Sequence, residues 1–159
     1  MRHLMLSCVA LCLAIGPAVS PGVANAQGKK EKAGTMQGQS LYKRLGGYDA
    51  IAAVADDFIG RLLANKDLGR FFTGTSADSK NRIRQLVVDQ LCAVTGGPCV
   101  YIGRDMKTAH KGMGISENDW QEAVKELLAS LAHFKVPQKE QDELVAIVAS
   151  TKNDIVEKP

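Results

Sequence analysis

Apolar residues recur at helical spacing along most of the chain from residue 40 onward. Ile51, Val54, Phe58 and Leu62 share one face, with Ala55, Ile59 and Leu63 beside it. Spacings of three and four place such residues on one side of a helix. Ser40 opens a short helix through Leu45, stopped by Gly46-Gly47, and Asp49 is placed to cap the helix after it. Leu68, Phe71 and Phe72 form a short apolar turn, and Thr75 to Lys80 reads as a loop and helix entry. Ile83, Leu86, Val87, Leu91 and Val94 stripe a third helix from about Asp78. Gly96-Gly97-Pro98 ends it, because glycine is costly and proline worse inside a helix.

The second half continues in the same way. Cys99 to Asp105 reads as extended or irregular, and Asp105 to Lys111 as a short helix with Met106 and His110 four apart on one face. Gly112 and Gly114 break it. Ser116 followed by Asp119 forms a capping box with Asp in place of Glu. Trp120, Val124, Leu127, Leu128 and Leu131 stripe the next helix. Pro137 starts the last one, with Leu144, Ile147, Val148, Thr151 and Ile155 on one face. No strand pattern or internal repeat emerges. The expected fold class is all-α, with four long helices and a few short ones.

The first 39 residues do not fit this pattern. Leu4 to Ile15 is apolar apart from Ser7, and Ala24-Asn25-Ala26 matches the small-residue site of an export signal. The expected boundaries are a signal over 1–26, a disordered leader over 27–39 and a domain over 40–157. The apolar run is short for a bilayer of about 30 Å, so no stable membrane span is expected after cleavage. The expected location is periplasmic or secreted. Cleavage removes Cys8 and Cys12 and leaves Cys92 and Cys99, either as a disulfide or as two thiols.

Composition narrows the chemistry. The chain has 159 residues and a formal net charge of +3, and nowhere do basic and aromatic residues interleave as nucleic-acid binding requires. Beyond residue 26 only His110 and His133 remain. A structural zinc normally needs four ligands at recognisable spacing, and these are missing. Cys-x-x-Cys-His is absent, so haem attachment by that route is excluded. His133, at the end of an apolar helix, reads as a helix C-terminal histidine. His110 stands out because glycines follow it, and because the pair Phe71-Phe72 lies between two long apolar helices where it can clamp a flat cofactor.

Three segments taken in order carry a resemblance: Leu41-Tyr42-Lys43-Arg44-Leu45-Gly46-Gly47, Asp56-Asp57-Phe58, and Leu68-Gly69-Arg70-Phe71-Phe72-Thr73-Gly74-Thr75. A fourth is the most specific, running from Gly96-Gly97-Pro98 through Tyr101-Ile102-Gly103-Arg104-Asp105-Met106 to His110-Lys111-Gly112-Met113-Gly114-Ile115. Over about Leu41 to Val156 the chain resembles the group I truncated haemoglobins. The resemblance implies a two-over-two helical sandwich around a b-type, non-covalent haem. By the same resemblance His110 is the proximal iron ligand; a ligating imidazole needs an acceptor for its other N–H, and a backbone carbonyl is the expected one. Met106 and Ile115 would pack near it, Phe72 would stack on the macrocycle, and Phe58, Leu62, Phe71 and Leu86 would complete the cofactor wall.

The distal side departs from the family. Ile59 stands where members usually carry tyrosine, and Ile83, Leu86 and Val87 fall where they often carry Gln or His. A slip of one residue would instead turn Gln85 or Arg84 toward the ligand. The expected function is reversible binding of O₂, NO or CO, with O₂ disfavoured relative to Tyr-bearing members because it gains most from a donor. The alternatives are an NO dioxygenase, which would need an unknown reductase or electron donor, a peroxidase-like enzyme, and a helical interaction module without haem.

Overall fold

The computed structural model describes residues 38–158. The expected signal and leader lie outside the described residues, apart from the leader's last two positions.

Helix α1 spans Leu41–Arg44, α2 Tyr48–Ala64, α3 Ala77–Val94, α4 Met106–His110, α5 Glu117–His133, α6 Gln138–Ala149 and α7 Lys152–Ile155. A 3₁₀ turn, Gly69–Phe72, joins α2 to α3. The described residues form no sheet, and one isolated bridge pairs Ser116 with Lys158. None of the described helices is long and apolar enough to cross a membrane. Three packing pairs make the sandwich: α2 packs on α3, and α5 packs on both α2 and α6.

The stripes explain the packing. Ile51, Val54 and Ala55 of α2 meet Val88 and Leu91 of α3, Leu127 and Leu131 of α5 and Leu144 of α6 in one buried core. Each fully buried Val, Leu or Ile side chain contributes about 1.5–3 kcal/mol. Arg44 closes the bottom by pairing with Glu140, 2.9 Å away, and with Glu143. This ties the four-residue α1, too short to persist alone, to α6.

The expected boundaries change in two places. Asp49 is not the cap of α2: Gly47 occupies that position at φ +82°, and Asp49 sits in the first turn, where its charge faces the positive end of the helix dipole. The last helix is also broken. Ser150 Oγ and Thr151 Oγ1 donate to the carbonyls of Ile147 and Val148, competing with the helical ladder. Thus α6 ends at Ala149, and Thr151 and Ile155 belong to a separate turn and short helix.

Cys92 and Cys99 are joined by a disulfide with Cα atoms 5.7 Å apart. The bridge fastens the end of α3 to the extended segment leading toward α4. Gly97 fits beneath it because a Cβ there would meet Tyr42 Cδ2 at 2.5 Å and the Cys92 carbonyl at 2.7 Å.

Candidate functional site

The core does not fill the space between the helix pairs. A cavity of about 460 Å³ lies between α2, α3, α4, α5 and the C-terminal turns. Cofactor pockets of roughly 300–1,000 Å³ are usual. The upper part of α2 contributes Phe58, Ile59 and Leu62, and the 3₁₀ turn contributes Phe71 and Phe72. From α3 come Ile83, Leu86 and Val87, and from α4 and the segment after it Met106, His110 and Ile115. These are all of the site residues expected from the sequence, and they line one cavity.

The tautomer of His110 follows from its own turn of helix. Asp105 caps α4 by accepting from the Thr108 N–H at 2.8 Å, and this contact holds its carboxyl below the usual aspartate range. One turn on, His110 Nδ1 lies 2.8 Å from the Met106 carbonyl oxygen. A carbonyl only accepts, so Nδ1 carries the proton and donates. Nε2 then keeps its lone pair on a half-buried ring at the cavity wall. That is the tautomer a metal-ligating imidazole needs.

The loop after α4 is held from outside. Gly112 and Gly114 take φ of +81° and +66°, conformations that L side chains rarely adopt. Their N–H groups donate to Glu157 Oε1 and Oε2 at 2.7 and 2.6 Å. These two bonds lower the Glu157 pKa.

The aromatic pair is held by charge. Arg70 donates to both carboxylate oxygens of Asp119 at 2.7 and 2.8 Å, and its guanidinium lies 4.4 Å from the centre of the Phe71 ring. Asp119 also accepts from Ser116 N at 2.9 Å, completing the capping box of α5. The turn carrying Phe71 and Phe72 is thereby docked on the start of α5.

Of the two registers expected for α3, one faces the cavity. Arg84 pairs with Asp56 at 2.5 Å, which lowers the Asp56 pKa. Gln85 donates to Tyr48 Oη and to Asp89, both at 2.9 Å. Neither Arg84 nor Gln85 lines the cavity, whereas Ile83, Leu86 and Val87 do. Gln90 also lines it, three residues beyond Val87 and seven beyond Ile83, and was missed because only apolar positions were assigned to that stripe. Leu68, Tyr101, Trp120, Val124 and Leu127 line it too. Tyr101 Oη donates to the Arg104 carbonyl at 2.6 Å, and burial raises its pKa. His133 is exposed, stacked edge-on against Phe134, and lines no part of the cavity.

Comparison with known proteins places this architecture. The family model for bacterial-like globins matches residues 40–157. The chain belongs to the bacterial-like globin family. The group 1 truncated hemoglobin GlbN of Mycolicibacterium paratuberculosis is 34% identical over 110 residues, covering 69% of this chain and 79% of that one. Among solved structures, a truncated hemoglobin from Tetrahymena pyriformis in its Fe(III) form matches this globin with a TM-score of 0.69 at 28% identity, covering 74% of this chain and 98% of that one. The 2/2 hemoglobin from Synechococcus sp. PCC 7002, in the cyanomet state and with covalently attached heme, matches with a TM-score of 0.68 at 29% identity, covering 74% and 98%. The fold is the two-over-two truncated globin.

Proposed function

We propose that this globin binds haem b non-covalently, with His110 as the proximal iron ligand, and reversibly binds diatomic gases. One observation carries the reading: an imidazole with Nδ1 committed to Met106 O, and Nε2 therefore available, forms part of the wall of a large apolar cavity. Neutral imidazole is the globin solution to holding haem iron. The residues fit a flat apolar macrocycle, with Phe72 placed to stack on it and Phe58, Leu62, Phe71, Leu86, Met106 and Ile115 to exclude water around it. Haem, when bound, supplies an iron with a coordination position for O₂, NO or CO.

The side chains available support non-covalent attachment. Cys92 and Cys99 are bonded to each other, and His133 lies off the cavity. Among the described residues His110 is thus the one histidine at the site, and it is assigned to the iron.

The distal residues set the preference among gases. Ile59 is 7% exposed, and with Ile83, Leu86 and Val87 it offers no hydrogen-bond donor. O₂ gains most from a donor, roughly 0.5–1.5 kcal/mol for an ordinary hydrogen bond. These four side chains therefore favour CO and NO relative to a Tyr-bearing wall, and Gln90, further along α3, is the amide that lines the same cavity. The same four residues supply no acid–base group for peroxide cleavage, which favours a binder over a peroxidase-like enzyme. NO dioxygenation would need well-retained O₂ and a separate electron donor.

Export is part of the proposal. The Cys92–Cys99 bond fits an oxidising compartment, and cleavage after Ala26 would leave Gln27 first. The mass of the exported protein tests it, a retained N-terminus counting against it. For gas binding, the test is stopped-flow measurement of O₂ and CO dissociation from the ferrous holoprotein. The reading expects fast O₂ release and ordinary CO release. O₂ release as slow as in a Tyr-bearing truncated globin would overturn the distal assignment.

A further inference from the structure

Helix α4 has five residues, below the length at which a helix holds itself together in water. Its principal helical neighbour is α7, not a helix of the core. The placement of His110 therefore depends on the C-terminal segment. That segment is pinned beside the loop after α4: Glu157 N and Lys158 N donate to the Ile115 carbonyl at 2.9 and 3.1 Å, and Glu117 N donates to the Lys158 carbonyl at 3.2 Å. From this seat the Glu157 carboxylate accepts from Gly112 N and Gly114 N, one oxygen to each. The two positive φ values turn both N–H groups toward the same carboxylate. Gly112 is two residues from His110, so the clamp acts directly on the end of the helix that carries the imidazole.

We propose that Glu157 is a positioning residue for His110, a carboxylate clamp that fixes the loop after α4 and with it the imidazole at the cavity wall. The inference rests on His110 being the iron ligand. It adds that the orientation of the ligand is set from the last residues of the domain. The carboxylate is exposed, and an exposed acid held by two backbone N–H groups contributes through geometry more than through burial.

Glu157→Gln tests this, because the side-chain amide has one acceptor where the loop presents two donors. Glu117→Gln is the comparison: it breaks the Lys152–Glu117 ion pair, which ties the same short helix α7 to α5, without touching Gly112 or Gly114. Three readouts are taken on the full-length holoprotein: the iron–histidine stretching band in resonance Raman of the ferrous form, the rate of haem transfer to excess apomyoglobin, and the melting temperature. Glu157→Gln should shift or broaden the iron–histidine band and speed haem loss by about fivefold or more, in line with the loss of a charge-assisted hydrogen bond. Glu117→Gln should leave the band where it is, whatever it does to the melting temperature. Glu157→Asp keeps the charge on a shorter stem and should fall between wild type and Gln, which preserves the test should the Gln variant fail to hold haem. A band unchanged in Glu157→Gln, or a fall in melting temperature without a change in band or haem loss, overturns the inference. A wild-type protein with no iron–histidine band overturns the ligand assignment itself, and the inference falls with it.

Discussion

Replacing Asp119 by Asn tests whether charge docks the Phe71–Phe72 turn on α5. The carboxylate is 3% exposed and accepts from Ser116 N, Ser116 Oγ and Arg70 Nη2, at 2.9, 2.7 and 2.7–2.8 Å. Asparagine keeps one acceptor oxygen. Whichever way its amide turns, an N–H faces either the Ser116 N–H or the Arg70 guanidinium. The loss is one set of charge-assisted hydrogen bonds, about 1.5–3 kcal/mol. Arg70, whose side chain is 51% exposed, regains water, so its own contribution is at most about 1 kcal/mol. For a domain of this size about 1 kcal/mol corresponds to about 4 °C, so Asp119→Asn should lower the melting temperature by about 6–12 °C and Arg70→Ala by about 4 °C or less. Circular dichroism of the holoprotein reads both. Burial pushes the Asp119 carboxyl up, but the Ser116 and Arg70 contacts outweigh it, and its pKa lies below the ordinary aspartate value. The sign is then fixed: the stabilisation is complete above the unfolded value of about 3.9 and is lost as the pH falls through the lower folded value. As the pH falls below about 4, therefore, wild type should lose more stability than Asp119→Asn does. A shift under about 2 °C, or parallel acid curves, would refute the docking role.

Further tests address the distal wall and the corner after α3. Ile59→Tyr should slow O₂ dissociation by about 2- to 13-fold, the equivalent of one ordinary hydrogen bond, and change CO dissociation far less; equal effects on both gases would mean that the new hydroxyl does not reach the ligand. Reducing the disulfide, or replacing both Cys92 and Cys99 by Ala, opens a loop of sequence separation 7 and should cost about 2–3 kcal/mol in chemical denaturation; no change on adding reductant would show that the bridge does not contribute. Gly97→Ala places a Cβ against Tyr42, the Cys92 carbonyl and the Cys92 sulfur, and should destabilise the fold by about 1–3 kcal/mol; a neutral effect would mean that the corner relaxes freely.

Much of this arrangement was legible because each signal is local. The α2 and α3 stripes, the Ser116–Asp119 box and the Gly96-Gly97-Pro98 stop depend on residues a few positions apart. The His110 assignment came from motif order, and the donation to Met106 O is again an interaction across one helical turn. Non-local pairings were not readable. Arg70 with Asp119 and Glu157 with Gly112 and Gly114 join segments more than 40 residues apart, and no spacing rule relates them. The break at Ser150-Thr151 was obscured because the apolar period runs on through it, while two hydroxyls take the carbonyls that would continue the helix. Gln90 escaped notice for the opposite reason: it falls on the cavity stripe but is polar.

The central claim is that Nε2 of His110 holds the iron, and a cavity variant tests it most directly. His110→Gly removes the ligand and leaves a gap of imidazole size beside the pocket. Absorption spectra of the ferric, ferrous and CO-bound forms should show a His-ligated haem in wild type. In the variant they should show weakened haem retention and an altered Soret band, restored toward wild type by free imidazole. A variant that keeps the wild-type spectrum and haem content without imidazole would contradict the account.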